Sequence, residues 1–576
     1  MDVDGGRKRG ILDVQASALG TSLITDWCFS RLSVPDFHKH ILAELKDQGR
    51  NTHPTIKELC KITPSHGNRD VMKKMSKMRF PTMIEEVKDS LVTHMVLPKT
   101  WMGMLCKQED VWTRGLGADA IALFKFWDGL YTSVEGQKFW MEHPQLQHKT
   151  PIDLVHTLPL VVHEDAGPYS KTQSCVEVSF SSVLGKGIEL QCKFLVFSYL
   201  KENKAVLAKK QPNKAWPAVI KDLVLLEGGL HGPESELAGT PIALDALMQL
   251  WKGIVLFGKG DGDQRTDWGM PRATDPDEMC GYCLANRSNR PYTDLRPTAK
   301  WQVTEIGSTV VMLARLRQPH HPLADAVFFT FWFFRIDIMH LWDCKGVWSR
   351  TIGSVLWLLV HHEHRLGSTQ ELRLQEINLL MKTFYEHGGV KNRLPPLRLT
   401  NLTNGQDPFA DLSGTMVKAA KTRALLPFAE ELADKFFESG SVYHKAIRKV
   451  CLAATTMVDL LYVAGTFLDE EELVDLSHLV STFGKHYMLC QKLSSGCGDP
   501  CWHVTPKVHE TGHIPQQAAL INPVKVQCYK EESLVGKVTD IWKGCANGSY
   551  MRTIQHTVLF KYVLGVLLEL KIPLLA

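Results

Sequence analysis

The sequence predicts a mixed α/β fold, on two observations. Three consecutive β-rich runs are followed by a helical pattern and a fourth short strand between residues 151 and 275, and long helical patterns then fill most of residues 276–515. The first run, IDLVHTLPLVVHEDAG, the second, SCVEVSFSSVL, and the third, LQCKFLVFSYL, are rich in β-branched and aromatic residues and have Gly, Ser and Lys at their joints. That composition predicts a meander. TPIALDALMQLWKG follows, apolar at Ile242, Leu244, Leu247, Leu250 and Trp251, which predicts a helix opened by Thr240 and Pro241 and ended at Gly253. The run IVLF then gives a fourth strand, with GKGDGDQ and Asp261 just past its end.

The flanking regions read differently. Residues 1–150 form a helical N-terminal region, with patterns such as FHKHILAELKDQG. A basic segment there places Lys73, Lys74, Lys77 and Arg79 at helical spacing, either as a solvated face or as a contact for DNA. Residues 276–515 contain ALLPFAEELADKFFESG and AIRKVCLAATTMVDLLYVAG, two helical patterns separated from the preceding aromatic segment by a Pro/Asn/Gly-rich loop, KNRLPPLRLTNLTNGQDPFADLSG. Residues 516–576 return to helix, with TVLFKYVLGVLLELKIPLLA read as amphipathic because Lys561, Glu569 and Lys571 interrupt it.

Composition excludes several classes. With 576 residues, 44% hydrophobic and 22% charged, the chain reads as a folded protein and is expected to split into two to four domains. The net charge of +4 permits a polyanionic partner without requiring one. Of 14 cysteines only Cys280/Cys283 and Cys497/Cys501 are close pairs, so a reducing compartment is expected rather than a disulfide framework. The opening MDVDGGRKRGILDVQ has no signal-peptide core, and ADAVFFTFWFF is too short to cross a bilayer, so neither export nor a membrane is expected.

Position selects the chemistry. Asp165 and Asp261 each follow a predicted strand, where ligands gather in α/β folds, and Glu532 opens a helical run near the C-terminus. Three such carboxylates are the oxygen donors that two Mg²⁺ or Mn²⁺ ions need for in-line phosphoryl displacement. Asp263 and Glu531 are neighbouring alternatives. Cys280 and Cys283 have the spacing of half a tetrahedral zinc site, and His509 and His513, four apart on one helix face, are the best completing pair; four packing residues without metal is the other reading. Cys497, Cys501 and His503 form a second cluster that either competes for an ion or is a loop. Arg335, Lys345, Arg350, Lys537 and Lys543 are candidate phosphate contacts if they are not solvated surface, and Trp301, Trp332, Trp342 and Trp348 are expected in the core.

In this order, HEDAGPYSK, GKGD, CGYCLAN, DIMH, PKVHETGH and EESLVGKV resemble the DDE transposases of the CACTA class, the CMC superfamily, and their relatives. The resemblance covers roughly residues 150 to 570. It implies an RNase H-like core, its first part at 151–275 and its C-terminal part at 516–576, interrupted by the large helical insertion of 276–515. It places the catalytic triad on Asp165, Asp261 and Glu532, the insertion's cysteines on Cys280 and Cys283, and a supporting Asp-x-x-His on Asp337 and His340. A glutamate that opens a helix four residues before a Gly favours Glu532 over Glu531. The implied protein is a nuclear, homo-oligomeric nuclease and strand transferase acting on transposon ends and target DNA with Mg²⁺ or Mn²⁺. Two alternatives remain: a decayed or domesticated DNA-binding scaffold, and a zinc-stabilised interaction protein. KEES departs from the family's surroundings of the Glu, and no N-terminal zinc finger is present to recognise terminal repeats.

Overall fold

The computed structural model describes residues 18–48, 54–62, 64–76, 83–86, 94–201, 215–318, 320–403, 408–546 and 551–572. Its centre is a mixed five-stranded sheet of β1 (Thr157–Pro168), β2 (Ser174–Ser182), β3 (Lys193–Leu200), β4 (Ala243–Leu244) and β5 (Leu250–Lys259), in the order β3-β2-β1-β5-β4. β1, β2 and β3 form the antiparallel meander that the sequence predicts, and β5 lies parallel to β1 on its other side, with His163 opposite Lys259. The sheet is buried on both faces, which is why its strands read as near-continuous apolar runs.

The helix expected over 240–253 is not formed. The stretch instead makes β4, a turn, and the start of β5. The cause is Asp245, whose carboxylate accepts from the backbone N–H of Leu247 (2.8 Å) and Gln249 (2.9 Å) and from Trp251 Nε1 (2.8 Å). This side chain closes a turn in competition with helix. Leu247, placed on the expected apolar face, is 88% exposed. The helix between β3 and β5 is Ala215–Gly228, so the order of elements holds while its residues change.

The sheet carries a helix layer on each face. Leu226 of the Ala215–Gly228 helix approaches Gly253 of β5 on one face. Tyr529–Cys545 covers the other, where it meets Gly167: a Cβ there would lie 2.5 Å from Thr539 Oγ1 and 2.8 Å from Val535 Cγ1. Side chains two apart on a strand share a face, so His163, Asp165 and Gly167 all turn towards this helix.

The helical block of residues 276–515 is built on long helices, Val347–His362, Gln370–His387, Ala419–Phe436, Val442–Val463 and Glu470–Cys497. Trp301, Trp332, Trp342 and Trp348 are buried in it or against it, as expected. In the N-terminal region the Ala18–Cys28 and Val34–Gln48 helices pack with the C-terminal helix Met551–Glu569, through Trp27, Phe37 and Ile41 against Leu564 and Leu568. Among the described residues no helix is long and apolar enough to cross a membrane. Of the basic segment, Lys73 and Lys74 lie on the Gly67–Ser76 helix, while Lys77 and Arg79 lie outside the described residues.

Candidate functional site

Asp165 does not follow β1 but lies within it, opposite Glu177 of β2. The apolar run ends at Val162, yet the ladder continues to Pro168 because β2 keeps pairing with it. Glu532 occupies the first turn of the Tyr529–Cys545 helix and reaches the same place from above. Ligand atoms of Asp165, Glu532 and His340 lie within 4.8 Å of one another.

The two adjacent glutamates have opposite fates. Glu531 is buried between Lys193 of β3 and Lys259 of β5, with Lys259 Nζ 2.9 Å from its Oε1, and so fastens the start of the helix to the sheet. Its carboxyl is held well below the usual range, against burial, by these two ammonium groups. Glu532 has a side chain 40% exposed and meets His340 Nε2 at 3.1 Å. One glutamate anchors while its neighbour meets Asp165 and His340.

His340 is oriented from behind. Its Nδ1 lies 2.6 Å from Asp337 Oδ2, and Asp337 Oδ1 also accepts from the backbone N–H of Cys528 at 3.0 Å, just before the Glu532 helix. Asp337 therefore ties the His340 turn to the start of that helix. Hydrogen bonds to Asp337 and Glu532, together with their charges, raise His340 to about 11 despite burial. The same histidine draws Glu532 down to about 2 against burial. Asp165 moves the other way: burial and then its hydrogen bond and charge contact with Glu532 push its carboxyl well up. Two carboxylates this close share one proton or need a cation between them.

Asp261 sits just beyond β5, as expected, and its Oδ1 accepts from Gln264 N–H at 2.7 Å, capping the Gly262–Asp267 helix. It is not one of the three groups drawn within 4.8 Å. It lines, with Asp263, Asp337, His340 and Lys507, a cleft of about 510 Å³, and its charge contributes to raising Asp165. Lys507 is committed to the carbonyls of His340 (2.8 Å), Cys344 and Lys345, which fixes the turn that presents His340.

The second cluster is Cys280, Cys283, His509 and His513, all buried and within 4.8 Å of one another. Cys280 Sγ lies 3.5 Å from His513 Nε2, and Cys283 Sγ 3.4 Å from His509 Nε2. A tetrahedral ion with Zn–S near 2.3 Å and Zn–N near 2.0–2.1 Å has an S···N edge of about 3.5 Å. The donors are supported as metal ligands are: Tyr282 and Ala285 backbone N–H groups donate to the two sulfurs, and Glu305 Oε1 lies 3.1 Å from His513 Nδ1. The Cys280 thiol is pushed down, against burial, by the Cys283 hydrogen bond and the two histidines. Arg265 joins this cluster to the cleft, reaching Tyr282 Oη and Glu510 Oε2, both at 2.8 Å.

Other candidates go elsewhere. Cys501 is buried against Ser354, Cys497 is exposed at a helix end, and His503 stacks on Phe409, so they form no metal group among the described residues. Arg335 is a core residue over Phe257 that donates to Gln517 and Ile521 carbonyls, and it cannot meet a phosphate. Lys537 pairs with Glu189 and Lys543 with Asp540, Arg350 lies near His503, and Lys345 is exposed. The sequence reading missed Arg423, whose guanidinium lies over Tyr462 and Tyr529, one turn from Glu532. No local pattern marks it, because its partners come from two other helices. No model of a known protein family matches the chain, and none of the curated proteins matches its sequence.

Proposed function

We infer that the chain is a DNA nuclease and strand transferase of the DDE type, similar to CACTA-class transposases, with Asp165, Asp261 and Glu532 as its metal-binding triad. The observation that carries this reading is the convergence of Asp165 and Glu532, from distant parts of the sequence, on His340, which with Asp261 lines one cleft. Their apposed carboxylates concentrate negative charge that a divalent cation neutralises. Mg²⁺ or Mn²⁺ held there supplies activation of an attacking oxygen and stabilisation of a leaving oxygen, first for water and then for a 3′-hydroxyl attacking target DNA. Asp165 and Glu532 bind, Asp261 completes the set from the helix it caps, and Asp337 orients His340, which holds the Glu532 carboxylate.

The mixed sheet, with Asp165 on central β1 and Asp261 after the parallel β5, supports an RNase H-like core, and the helices of 276–515 its insertion. Cys280, Cys283, His509 and His513 hold a structural zinc, on the strength of their donor set, burial and spacing. That ion joins the start of the insertion to the segment that leads back to Glu532.

The test is Mn²⁺-dependent nicking and strand transfer on DNA by the purified protein. Activity in the parent that is lost in Asp165→Asn, Asp261→Ala and Glu532→Ala, all folded, is the expected result. A folded parent that binds DNA but nicks under no metal condition would instead fit a domesticated scaffold. Absence of both binding and nicking would leave the zinc-stabilised interaction protein.

A further inference from the structure

Resting on the DNA reading above, we propose that Arg423, held between Tyr462 and Tyr529, contacts a backbone phosphate of the strand that enters the carboxylate cleft. The guanidinium carbon lies 4.5 Å from the Tyr462 ring centre and 4.8 Å from that of Tyr529. Arg423 sits near the start of the Ala419–Phe436 helix, which packs on the Met339–Asp343 turn that carries His340. Tyr529 is three residues before Glu532 on one helix, so the two project from the same face, about 5–6 Å apart at Cβ. A strand with its scissile phosphate at Glu532 therefore passes Arg423.

The site is built rather than incidental. Tyr529 Oη donates to buried Asp343 at 2.7 Å, and Tyr462 Oη donates to Gln527 Oε1 at 2.9 Å, so both rings are locked by their own partners. Arg423 donates from Nη1 to Tyr462 Oη. Among the described residues no carboxylate lies within ion-pair distance of it, whereas the basic groups that the sequence put forward on the Glu532 helix, Lys537 and Lys543, are both paired. Stacking uses the faces of a guanidinium and leaves the rest of its planar N–H fork for an acceptor. A permanently charged, pre-oriented arginine that makes no direct ion pair and feels the buried Asp343 across Tyr529, one turn from the proposed metal-binding carboxylates, suits a phosphodiester oxygen. Tyr462, 38% exposed, adds an open edge of aromatic surface on the approach.

The experiment is binding of the full-length protein to a fluorescein-labelled duplex by anisotropy over a KCl series, without divalent ions beyond the structural zinc, beside nicking in Mn²⁺. Arg423→Gln is expected to weaken binding about tenfold and to make the slope of log Kd against log salt shallower by about one, the signature of one lost phosphate contact. Arg423→Lys, which keeps charge but not the planar fork, is expected to retain the slope while losing part of the affinity. Mn²⁺ binding to the carboxylates in both variants, measured directly, should match the parent. An unchanged Kd and slope in Arg423→Gln, with a parent that binds and nicks DNA, would overturn this assignment and leave the nuclease reading standing. Loss of Mn²⁺ binding in Arg423→Gln would overturn it too, by making the arginine part of the scaffold. A folded parent that neither binds nor nicks DNA would remove the nuclease reading and this assignment with it.

Discussion

Glu531 and Glu532 are adjacent carboxylates with nothing in their own chemistry to separate them, and the structure gives them different work. Glu531 is the sole carboxylate bridging Lys193 and Lys259 among the described ion pairs, so Glu531→Ala leaves two buried ammonium groups uncompensated. Breaking a buried pair in this way costs about 3–5 kcal/mol, which thermal denaturation should register as a clearly lowered Tm. Glu532→Gln, at a partly exposed position, is expected to keep the parent Tm at neutral pH within a few degrees and to lose Mn²⁺ binding, read by titration. Reversal of this pattern would exchange the two roles. His340 adds a pH dependence. Its proton affinity rises on folding from 6.5 to about 11, so the stability it contributes is complete below pH 6.5 and fades as pH rises towards 11. Metal-free protein should therefore lose Tm over that interval with a slope that His340→Asn reduces. Gly536, four residues on, singled out Glu532 in the sequence, and Glu532 is the one of the two that meets Asp165 and His340. The lysines that make Glu531 an anchor come from two strands, and no spacing within the sequence announces them. Arg423 was invisible for the same reason.

At the scale of elements, strands were legible and their ends were not. Runs of β-branched and aromatic residues marked β1, β2, β3 and the core of β5, but the pairing that carries β1 past its apolar run to Asp165 and Gly167 depends on β2. The helix expected over 240–253 failed because one side chain, Asp245, satisfies two backbone N–H groups and a tryptophan, which outweighs a weak apolar periodicity. Gly167 shows how tightly one element's composition positions another. The Glu532 helix rests on its missing side chain, so Gly167→Ala is expected to push that helix, through Thr539 and Val535, away from β1 to relieve contacts of 2.5 and 2.8 Å. The expected outcome is a marked loss of Mn²⁺ affinity with zinc content unchanged, measured by titration and by metal analysis. An Ala variant with parental Mn²⁺ affinity would show that the helix position is not what sets the Asp165 to Glu532 contact.

Among the described residues the main hydrophobic core continues across the divisions drawn from composition, while the first helices form a second, smaller cluster with the C-terminal helix. One contiguous set of buried side chains runs from Phe29 to Ile572, through the sheet, the long helices of residues 347–497 and the C-terminal helix. Segments that read as separate in sequence share a core, because composition reports local element type and not which apolar faces meet. The Cys280, Cys283, His509 and His513 cluster lies inside this continuity: Trp301, a core residue, packs on His509 at 4.4 Å, and Arg265 connects the cluster to the helix that Asp261 caps. Removing the proposed zinc from there would leave two thiols and two imidazoles buried together with little else to satisfy them, a cost borne by the core on either side. Chelation by 1,10-phenanthroline is therefore expected to lower the Tm of the whole protein. Zinc release, tryptophan fluorescence and far-UV circular dichroism should change in one coincident transition. Zinc leaving in an earlier, separate step, with the sheet and the Asp165 to Glu532 contact still able to bind Mn²⁺, would show instead that the helical block of residues 276–515 melts as a unit of its own.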